Sequence, residues 1–237
     1  MCEKSLIFVF AIICLATAAP PSFITKCKKD DKKCGKESAQ VALPIFAKGL
    51  AEDNVEQLDP VVFKKVDAST PNLKFILSDV TVTGLQNCKV KKLERDDAKI
   101  HIEFLCEAQL DGKYDLKGKL ATLPIEGNGP MHVDLKETQI DLNLYIEDKK
   151  GDDGKIHWHI TKWDHSFALK AKSFVKFDNL FDGNEVLAQA VRELIASDGN
   201  AIIGEIGAPM IKTAVERVVK NCERFFKAHP VEELSVD

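Results

Sequence analysis

The chain has 237 residues, with 33 lysines and arginines against 37 aspartates and glutamates, so its formal net charge is −4. Hydrophobic residues make up 45% and charged residues 30%, which is typical of a soluble globular protein and excludes disordered, collagen-like and multi-span membrane proteins. The acidic balance also argues against nucleic acid as a partner, because its binders carry a basic face. Phenylalanine dominates the aromatic residues, with 13 copies against 2 tyrosines and 2 tryptophans, and supplies apolar surface without a polar group.

The first residues predict a secretory signal peptide. Lys4 precedes an uncharged apolar run, Leu6–Ala16, and Ala16-Thr17-Ala18 is a small-x-small cleavage pattern. An uncleaved anchor is disfavoured, because a spanning helix needs about 20 apolar residues. We therefore expect residues 1–18 to be removed. Residues 19–237 are then expected to form a single secreted domain, a monomer without stable membrane insertion.

Helical periodicity occurs at both ends of the remaining chain. An N-terminal helix is predicted over residues 38–51, with Ser38 as its cap and Pro44 as a kink. At the other end, Asp182-Gly183-Asn184 begins a helix that runs to about residue 197. A longer apolar helix is predicted over residues 200–228, with an interruption at Pro209.

The segment between residues 73 and 177 alternates apolar and polar side chains, which predicts an antiparallel sheet with one apolar and one solvated face. Turn residues predict strand reversals, and they are Asp96-Asp97, Asp111-Gly112, Gly127-Asn128-Gly129 and Gly151-Asp152-Asp153-Gly154. The long C-terminal helix is the natural cover for the apolar face. The predicted fold is therefore α+β, with a highly curved antiparallel sheet wrapped around that helix.

Five cysteines follow the predicted signal peptide. Cys27 and Cys34 flank a polar loop that a local disulfide can close. A reversal centred on Asp97 places Cys88 opposite Cys106, which predicts a second disulfide, with two reduced core thiols as the alternative. Cys222 lies on the apolar stripe of the last helix and is expected to be a buried free thiol.

Motifs for catalysis or cofactor binding are missing from the sequence. It contains no Gly-x-Ser-x-Gly elbow, P-loop, dinucleotide fingerprint or His-Glu-x-x-His motif, so we expect no cofactor, no metal and no enzymatic activity. His157 and His159 share one strand face, where a solvated surface is favoured over a metal site because no third ligand is in register.

Several short motifs, in this order and spacing, resemble the takeout/juvenile-hormone-binding-protein family of insect secreted proteins. They are the Cys27…Cys34 pair, Leu58-Asp59-Pro60, Val82-Thr83-Gly84-Leu85, Leu123-Pro124-Ile125-Glu126-Gly127-Asn128-Gly129 and Asn179-Leu180-Phe181-Asp182-Gly183. The resemblance implies a long helix rolled in a curved antiparallel sheet, related to the tubular lipid-binding proteins. It also implies an extracellular hemolymph carrier whose internal tunnel holds an elongated apolar ligand.

One departure makes the chain more similar to takeout than to the hormone carriers of the family. Those carriers tend to have a second disulfide between a later strand and the C-terminal helix. Here Cys222 lies on that helix, but no cysteine follows Cys106 on the strands. The resemblance therefore does not identify juvenile hormone itself as the ligand.

The leading hypothesis is a non-enzymatic carrier of a terpenoid, juvenile-hormone-like or fatty-acid-like molecule. The residues expected to face the ligand are Phe46, Phe63, Phe104, Tyr114, Leu116, Leu142, Leu144, Trp158, Phe167, Leu169, Val215 and Val218. Tyr114 is singled out because a buried hydroxyl needs a partner, which a ligand oxygen can supply. Core packing is the alternative for each of these residues, and the other hypotheses are a defence protein that binds microbial or membrane lipid and a secreted lipid hydrolase.

Overall fold

The computed structural model describes residues 21–120 and 123–237, so the predicted signal peptide lies outside the described residues. The described helices are α1 (Lys32–Ala47), α2 (Glu185–Ile206), α3 (Ala208–Ala228) and α4 (Val231–Leu234). The described strands are β1 (Val61–Asp67), β2 (Leu73–Thr83), β3 (Lys89–Arg95), β4 (Lys99–Leu120), β5 (Leu123–Lys150), β6 (Ile156–Leu169) and β7 (Phe174–Phe177).

These strands form one antiparallel sheet around a very long central hairpin. The sheet order is β1-β2-β4-β5-β6, with β3 paired to β4 and β7 paired to β5. The central strands β4 and β5 contain 22 and 28 residues and pair from Leu120–Leu123 to Lys99–Tyr145. The predicted α+β class, with an antiparallel sheet and C-terminal helices, is confirmed.

The apolar side chains form two clusters along this hairpin. The α2 cluster contains residues of β1, β2, β7 and α2, the halves of β4 and β5 nearest Leu120 and Leu123, and Met210 at the start of α3. The α3 cluster contains residues of β6, α3, α4 and the opposite halves of β4 and β5. Each central strand therefore contributes one half to each cluster, and the two helices cover opposite ends of the sheet.

Two of the predicted reversals are wrong. Asp111-Gly112 lies inside β4 and Gly127-Asn128-Gly129 inside β5, whereas the reversals at Asp96-Asp97 and Gly151–Gly154 lie between strands as predicted. The internal glycines allow close approach of neighbouring groups instead of a turn. A Cβ atom at Gly112 would lie 2.9 Å from the Val80 Cα, and one at Gly127 would lie 2.8 Å from the Tyr114 hydroxyl.

Helix α1 begins six residues before the predicted start. The Asp31 carboxylate accepts a hydrogen bond from the Cys34 amide at 3.0 Å, which is the interaction of an N-terminal cap. The predicted cap, Ser38, lies within the helix, and its hydroxyl accepts from the Thr25 amide at 2.9 Å. Pro44 lies inside the helix as predicted.

The C-terminal helices divide at a different residue from the predicted one. Asn184 caps α2, and the predicted end near residue 197 corresponds only to non-helical backbone at Asp198. The division is at Gly207, and Pro209 follows in the first turn of α3, where its missing N–H costs no hydrogen bond.

Both predicted disulfides are present, and Cys222 is free. The Cys88–Cys106 pair depends on a β-bulge. Next to the turn, Arg95 pairs with Ile100, and without a bulge this register would place Cys88 opposite Glu107. The register shifts between Val90 and Lys92, so that Lys89 pairs with Leu105 and the next pair is Cys88 with Cys106.

Candidate functional site

A cavity of about 360 Å³ lies between α1, α3 and the inner face of the sheet. This volume falls within the range of pockets that hold small molecules, roughly 300–1,000 Å³. Its wall is formed mainly by aliphatic and aromatic side chains of α1, β3, β4, β5 and α3, together with the Cys88–Cys106 disulfide. Water gains few hydrogen bonds in such a space, which favours an apolar occupant.

The cavity is long and narrow. Its lining on β5 extends from Leu135 to Leu144, which at about 3.3 Å per residue corresponds to about 30 Å. Its lining on α3 extends from Met210 to Phe226, which at 1.5 Å per residue corresponds to about 24 Å. A small volume spread over this length accommodates a single extended chain better than a compact molecule.

Seven of the twelve residues predicted to face a ligand line this cavity. They are Phe46, Phe104, Leu142, Leu144, Trp158, Val215 and Val218. The other five do not line it, and they are Phe63, Tyr114, Leu116, Phe167 and Leu169. Phe167 packs against the α3 cluster, and the other four residues belong to or pack against the α2 cluster.

The expectation that the Tyr114 hydroxyl is free for a ligand is wrong. This hydroxyl donates a 2.6 Å hydrogen bond to the Asp178 carbonyl. Burial and the nearby Asp178 carboxylate raise the pKa of Tyr114 to about 12, so the phenol stays protonated and keeps donating. The Tyr114 ring packs against Phe177 at a centroid distance of 4.8 Å, within the α2 cluster.

Helix α1 contributes a face of the cavity that sequence reasoning missed. Ala39, Ala42 and Leu43 line the cavity with the predicted Phe46. The spacing i, i+3, i+4, i+7 is the stripe of a helix that packs against an apolar surface, so the signal was present in the sequence. Alanines at two of these positions leave space where larger side chains would fill the cavity.

One end of the cavity is exposed and charged. Lys28, Lys29, Asp31 and Lys32 line it there, and the Lys32 side chain is 67% exposed. Two of these lysines are paired, because Lys29 lies 2.9 Å from the Asp97 carboxylate and Lys32 lies 2.5 Å from Glu94. We call this end the opening.

Arg95 lies beside the opening and closes the wall there. Its guanidinium donates to the Ser235 hydroxyl at 2.7 Å and to the Asp237 carboxylate at 2.5 Å. It also stacks over the Trp158 ring at 5.2 Å, a cation–π contact. These contacts join β3 to the C-terminal segment and hold Trp158 against the cavity.

The free thiol of Cys222 also lines the cavity, next to Val215 and Val218 on α3. Burial raises the pKa of this thiol to about 12, and the nearby Glu223 carboxylate acts in the same direction. The thiol is unpaired as predicted, but the residue as a whole is half-buried and not fully buried.

The motifs behind the family resemblance contact one another in pairs. The buried Asp59 carboxylate accepts hydrogen bonds from the Gly84 amide at 3.1 Å and the Gln86 amide at 2.8 Å. This contact joins Leu58-Asp59-Pro60 to Val82-Thr83-Gly84-Leu85, and Leu58 and Leu85 line the cavity. The first pair of motifs therefore builds part of the cavity wall.

The second pair of motifs lies at the other end of the sheet. The Asn179 side-chain amide donates to the Asn128 carbonyl at 3.0 Å, and Gly127 forms a bridge with Leu180. This contact anchors the segment before α2 to β5 and supports the α2 cluster rather than the cavity.

His157 is not on a solvated face, contrary to the prediction. It is buried, with Nδ1 at 2.9 Å from the Phe226 carbonyl, and His159 contacts the Glu223 carboxylate at 2.5 Å. Both histidines therefore join β6 to α3. Within residues 21–120 and 123–237, no group of three histidine, cysteine or acidic residues is arranged to hold a metal ion.

The family model for haemolymph juvenile hormone binding protein matches residues 6–235. The chain belongs to this family. The chain is similar to the circadian clock-controlled protein daywake of Drosophila yakuba, which is 27% identical over 222 residues that cover 88% of this chain and 82% of daywake. Daywake of Drosophila melanogaster is 26% identical over 77% of this chain and 75% of its own.

A solved structure with a similar sequence has the same fold. The crystal structure of Epiphyas postvittana Takeout 1 superimposes with a TM-score of 0.86 and 27% sequence identity, over 90% of this chain and all of the other. In the part of this chain that is described, no helix is both long and apolar enough to cross a membrane.

Proposed function

We propose that this protein is a secreted carrier that binds one elongated apolar molecule, a terpenoid, juvenile-hormone-like or fatty-acid-like compound, in the cavity. The observation that carries the proposal is the shape and lining of the cavity, a narrow apolar space with one exposed end. Membership of the haemolymph juvenile hormone binding protein family supports it.

The affinity in this proposal comes from burial of apolar ligand surface. Each 100 Å² removed from water contributes about 2.5 kcal/mol, before the cost of immobilising the ligand. Selectivity then depends on length and width, because a chain too wide for the space between α1 and β5 must displace packed side chains.

A lipid hydrolase is less well supported. Acyl transfer requires a nucleophile and a base within hydrogen-bonding distance of each other. Among the described residues that line the cavity there is no histidine, and the Ser38 hydroxyl accepts a hydrogen bond from a backbone amide. We therefore include no catalytic step in the proposed function.

The proposal is tested on protein secreted from insect cells. Native mass spectrometry and organic extraction should recover a co-purifying apolar molecule, and the mature chain should begin near Ala19. A fluorescent apolar probe should also be displaced by terpenoids or long-chain lipids. Absence of any bound molecule, together with no displacement across the panel, would refute the carrier function.

A matched variant locates the binding. Ala42→Phe places a bulky ring in the cavity, whereas the control, Tyr114→Phe, removes one hydroxyl within the α2 cluster. We expect probe affinity to fall at least tenfold in the first variant and to be unchanged in the second. Binding to anionic vesicles instead, with no probe in the cavity, would favour the defence-protein alternative.

A further inference from the structure

Thr138 presents a hydroxyl to the cavity that no described protein atom satisfies. The residue is 2% exposed, lines the cavity, and its Oγ1 is buried without a hydrogen-bond partner among the described residues. Burying a hydroxyl in this way costs free energy that a valine of nearly the same shape would not cost. An uncompensated hydroxyl in the wall of an apolar cavity points to a partner supplied by the occupant.

Thr138 faces inward by the regular alternation of β5, on the same face as Ile140 and Leu142, and a backbone irregularity beside it brings Leu135 to that face as well. Opposite the segment from Cys106 to Ala108, β5 runs from Thr138 to Leu135 and contains one extra residue. Glu137 in this bulge has φ of 40°, a left-handed conformation that is unfavourable for a residue with a side chain. Leu135 and Thr138 both line the cavity as a result, although regular alternation would place them on opposite faces.

The other polar side chains of the wall are already engaged or lie near the opening. Ser38 accepts from the Thr25 amide, and Arg95 donates to Ser235 and Asp237. Thr138 lies far from the opening. Leu144 pairs with Ile100 close to the turn beside the opening, and Thr138 is six residues farther along β5, about 20 Å at 3.3 Å per residue.

The surroundings of Thr138 are apolar. Cys106, its direct partner on β4, is in a disulfide, and Phe104 and Ile140 line the cavity next to it. The charged lining residues are Lys28, Lys29, Asp31, Lys32 and Arg95, at or beside the opening. An ionised group at the depth of Thr138 would lose its hydration without gaining a counter-charge, whereas a neutral oxygen needs only one hydrogen bond.

We propose that the Thr138 hydroxyl is a polar anchor that donates a hydrogen bond to a neutral oxygen at the inner end of the ligand. The ligand class is then an elongated apolar molecule with a carbonyl, ester, ether or hydroxyl oxygen at that end. This inference rests on the proposed carrier function and narrows its ligand class. An unsubstituted hydrocarbon would leave the Thr138 hydroxyl unpaired, and a fatty acid would place its carboxylate at the charged opening and not beside Thr138.

The test compares two probes that differ by one atom group. One probe is a sixteen-carbon methyl ketone. The other is the matching hydrocarbon, the alkene in which a CH2 group replaces the carbonyl oxygen. Each is titrated by fluorescence displacement into the wild type, Thr138→Val and the control Thr161→Val, whose hydroxyl donates to the Tyr145 carbonyl on the exposed surface. The wild type and the control should prefer the ketone by about three- to tenfold, the effect of one hydrogen bond.

In Thr138→Val we expect this preference to disappear, with the hydrocarbon bound as tightly as by the wild type. Infrared spectra of the isotopically labelled ketone add a direct readout, since its carbonyl stretch should move to lower frequency only when Thr138 donates to it. An unchanged preference in Thr138→Val, or the same carbonyl frequency in both proteins, would overturn the anchor while leaving the carrier function intact. Failure of the wild type to bind either probe would overturn both.

Discussion

Cys222 should react with a small disulfide reagent such as dithiodipyridine far more slowly than an ordinary cysteine. Its pKa is raised from the ordinary 9.0 to about 12 by burial. At pH 8 the thiolate, which is the nucleophile, is then about a thousand times scarcer than at an exposed cysteine. The greater nucleophilicity of a more basic thiolate recovers about twentyfold of this difference, which leaves a rate about 50-fold lower.

The assay follows the absorbance of the released thione between pH 7 and pH 10, on mature protein in which the four described partner cysteines are in disulfides. Protein unfolded in guanidinium gives the reference rate, and Cys222→Ala gives the background. Because the pKa is raised, the rate for the folded protein should still increase tenfold per pH unit at pH 10, where an ordinary thiol has levelled off. A plateau near pH 9, or a rate equal to that of the unfolded chain, would refute the reasoning.

Three further predictions concern the framework of the site. Asp59→Ala should lower the free energy of unfolding by about 2 kcal/mol, because two backbone amides lose their acceptor. Guanidinium titration measures this loss, and Asp59→Asn is the milder variant for comparison. Replacing Cys88 and Cys106 with alanine should cost about 3 kcal/mol, from the loop entropy of an 18-residue separation, and a cost near zero in the same titration would contradict the pairing. Tyr114→Phe should cost about 1 kcal/mol through the lost bond to the Asp178 carbonyl and leave probe affinity unchanged; weaker binding would contradict its position outside the cavity.

The Cys88–Cys106 disulfide illustrates what the sequence determines about the fold and what it leaves out. A reversal centred on Asp97 predicts the correct cysteine pair. Nearest the turn, however, the strands are displaced by one residue from that register, because Arg95 pairs with Ile100 and not with Lys99. The bulge between Val90 and Lys92 restores it, and nothing in the alternation of these lysine-rich residues marks a bulge. Alternation therefore predicts the existence and class of the sheet, whereas local irregularities set the register.

Glycines caused the errors in strand length for a related reason. A Gly-containing pair between alternating segments is the usual signal of a hairpin, yet Gly112 and Gly127 lie where the strands need space for Val80 and Tyr114. Sequence shows that a side chain is missing at such a position. Only the packing shows whether the chain turns there or is approached closely.

The sequence predicts which apolar residues of the strands face inward, but not which of them line the cavity. Alternation correctly places Phe104, Leu142 and Leu144 on the inner face, but Leu116 lies on the same face of the same hairpin and packs under α2 instead. Which part of a long inner face stays open depends on where the helices lie across it. Thr138 faces inward by the same alternation as Ile140 and Leu142, but the sequence does not show that its hydroxyl lacks a partner, which depends on the packing around it.

The division of the interior into an α2 cluster and an α3 cluster predicts two units of local unfolding joined by one hairpin. The clusters meet along β4 and β5 and at the start of α3, where Met210 belongs to the α2 cluster, so we expect the amides of α2 to exchange with solvent while the rest of α3 stays folded. A molecule in the cavity would contact α3 and also Val82, Leu110 and Leu135 of the α2 cluster, which line the same wall. It should therefore slow amide exchange most on α3 and least on α2, whose residues do not line the cavity, so that occupancy can be read as a difference in amide protection between the two helices.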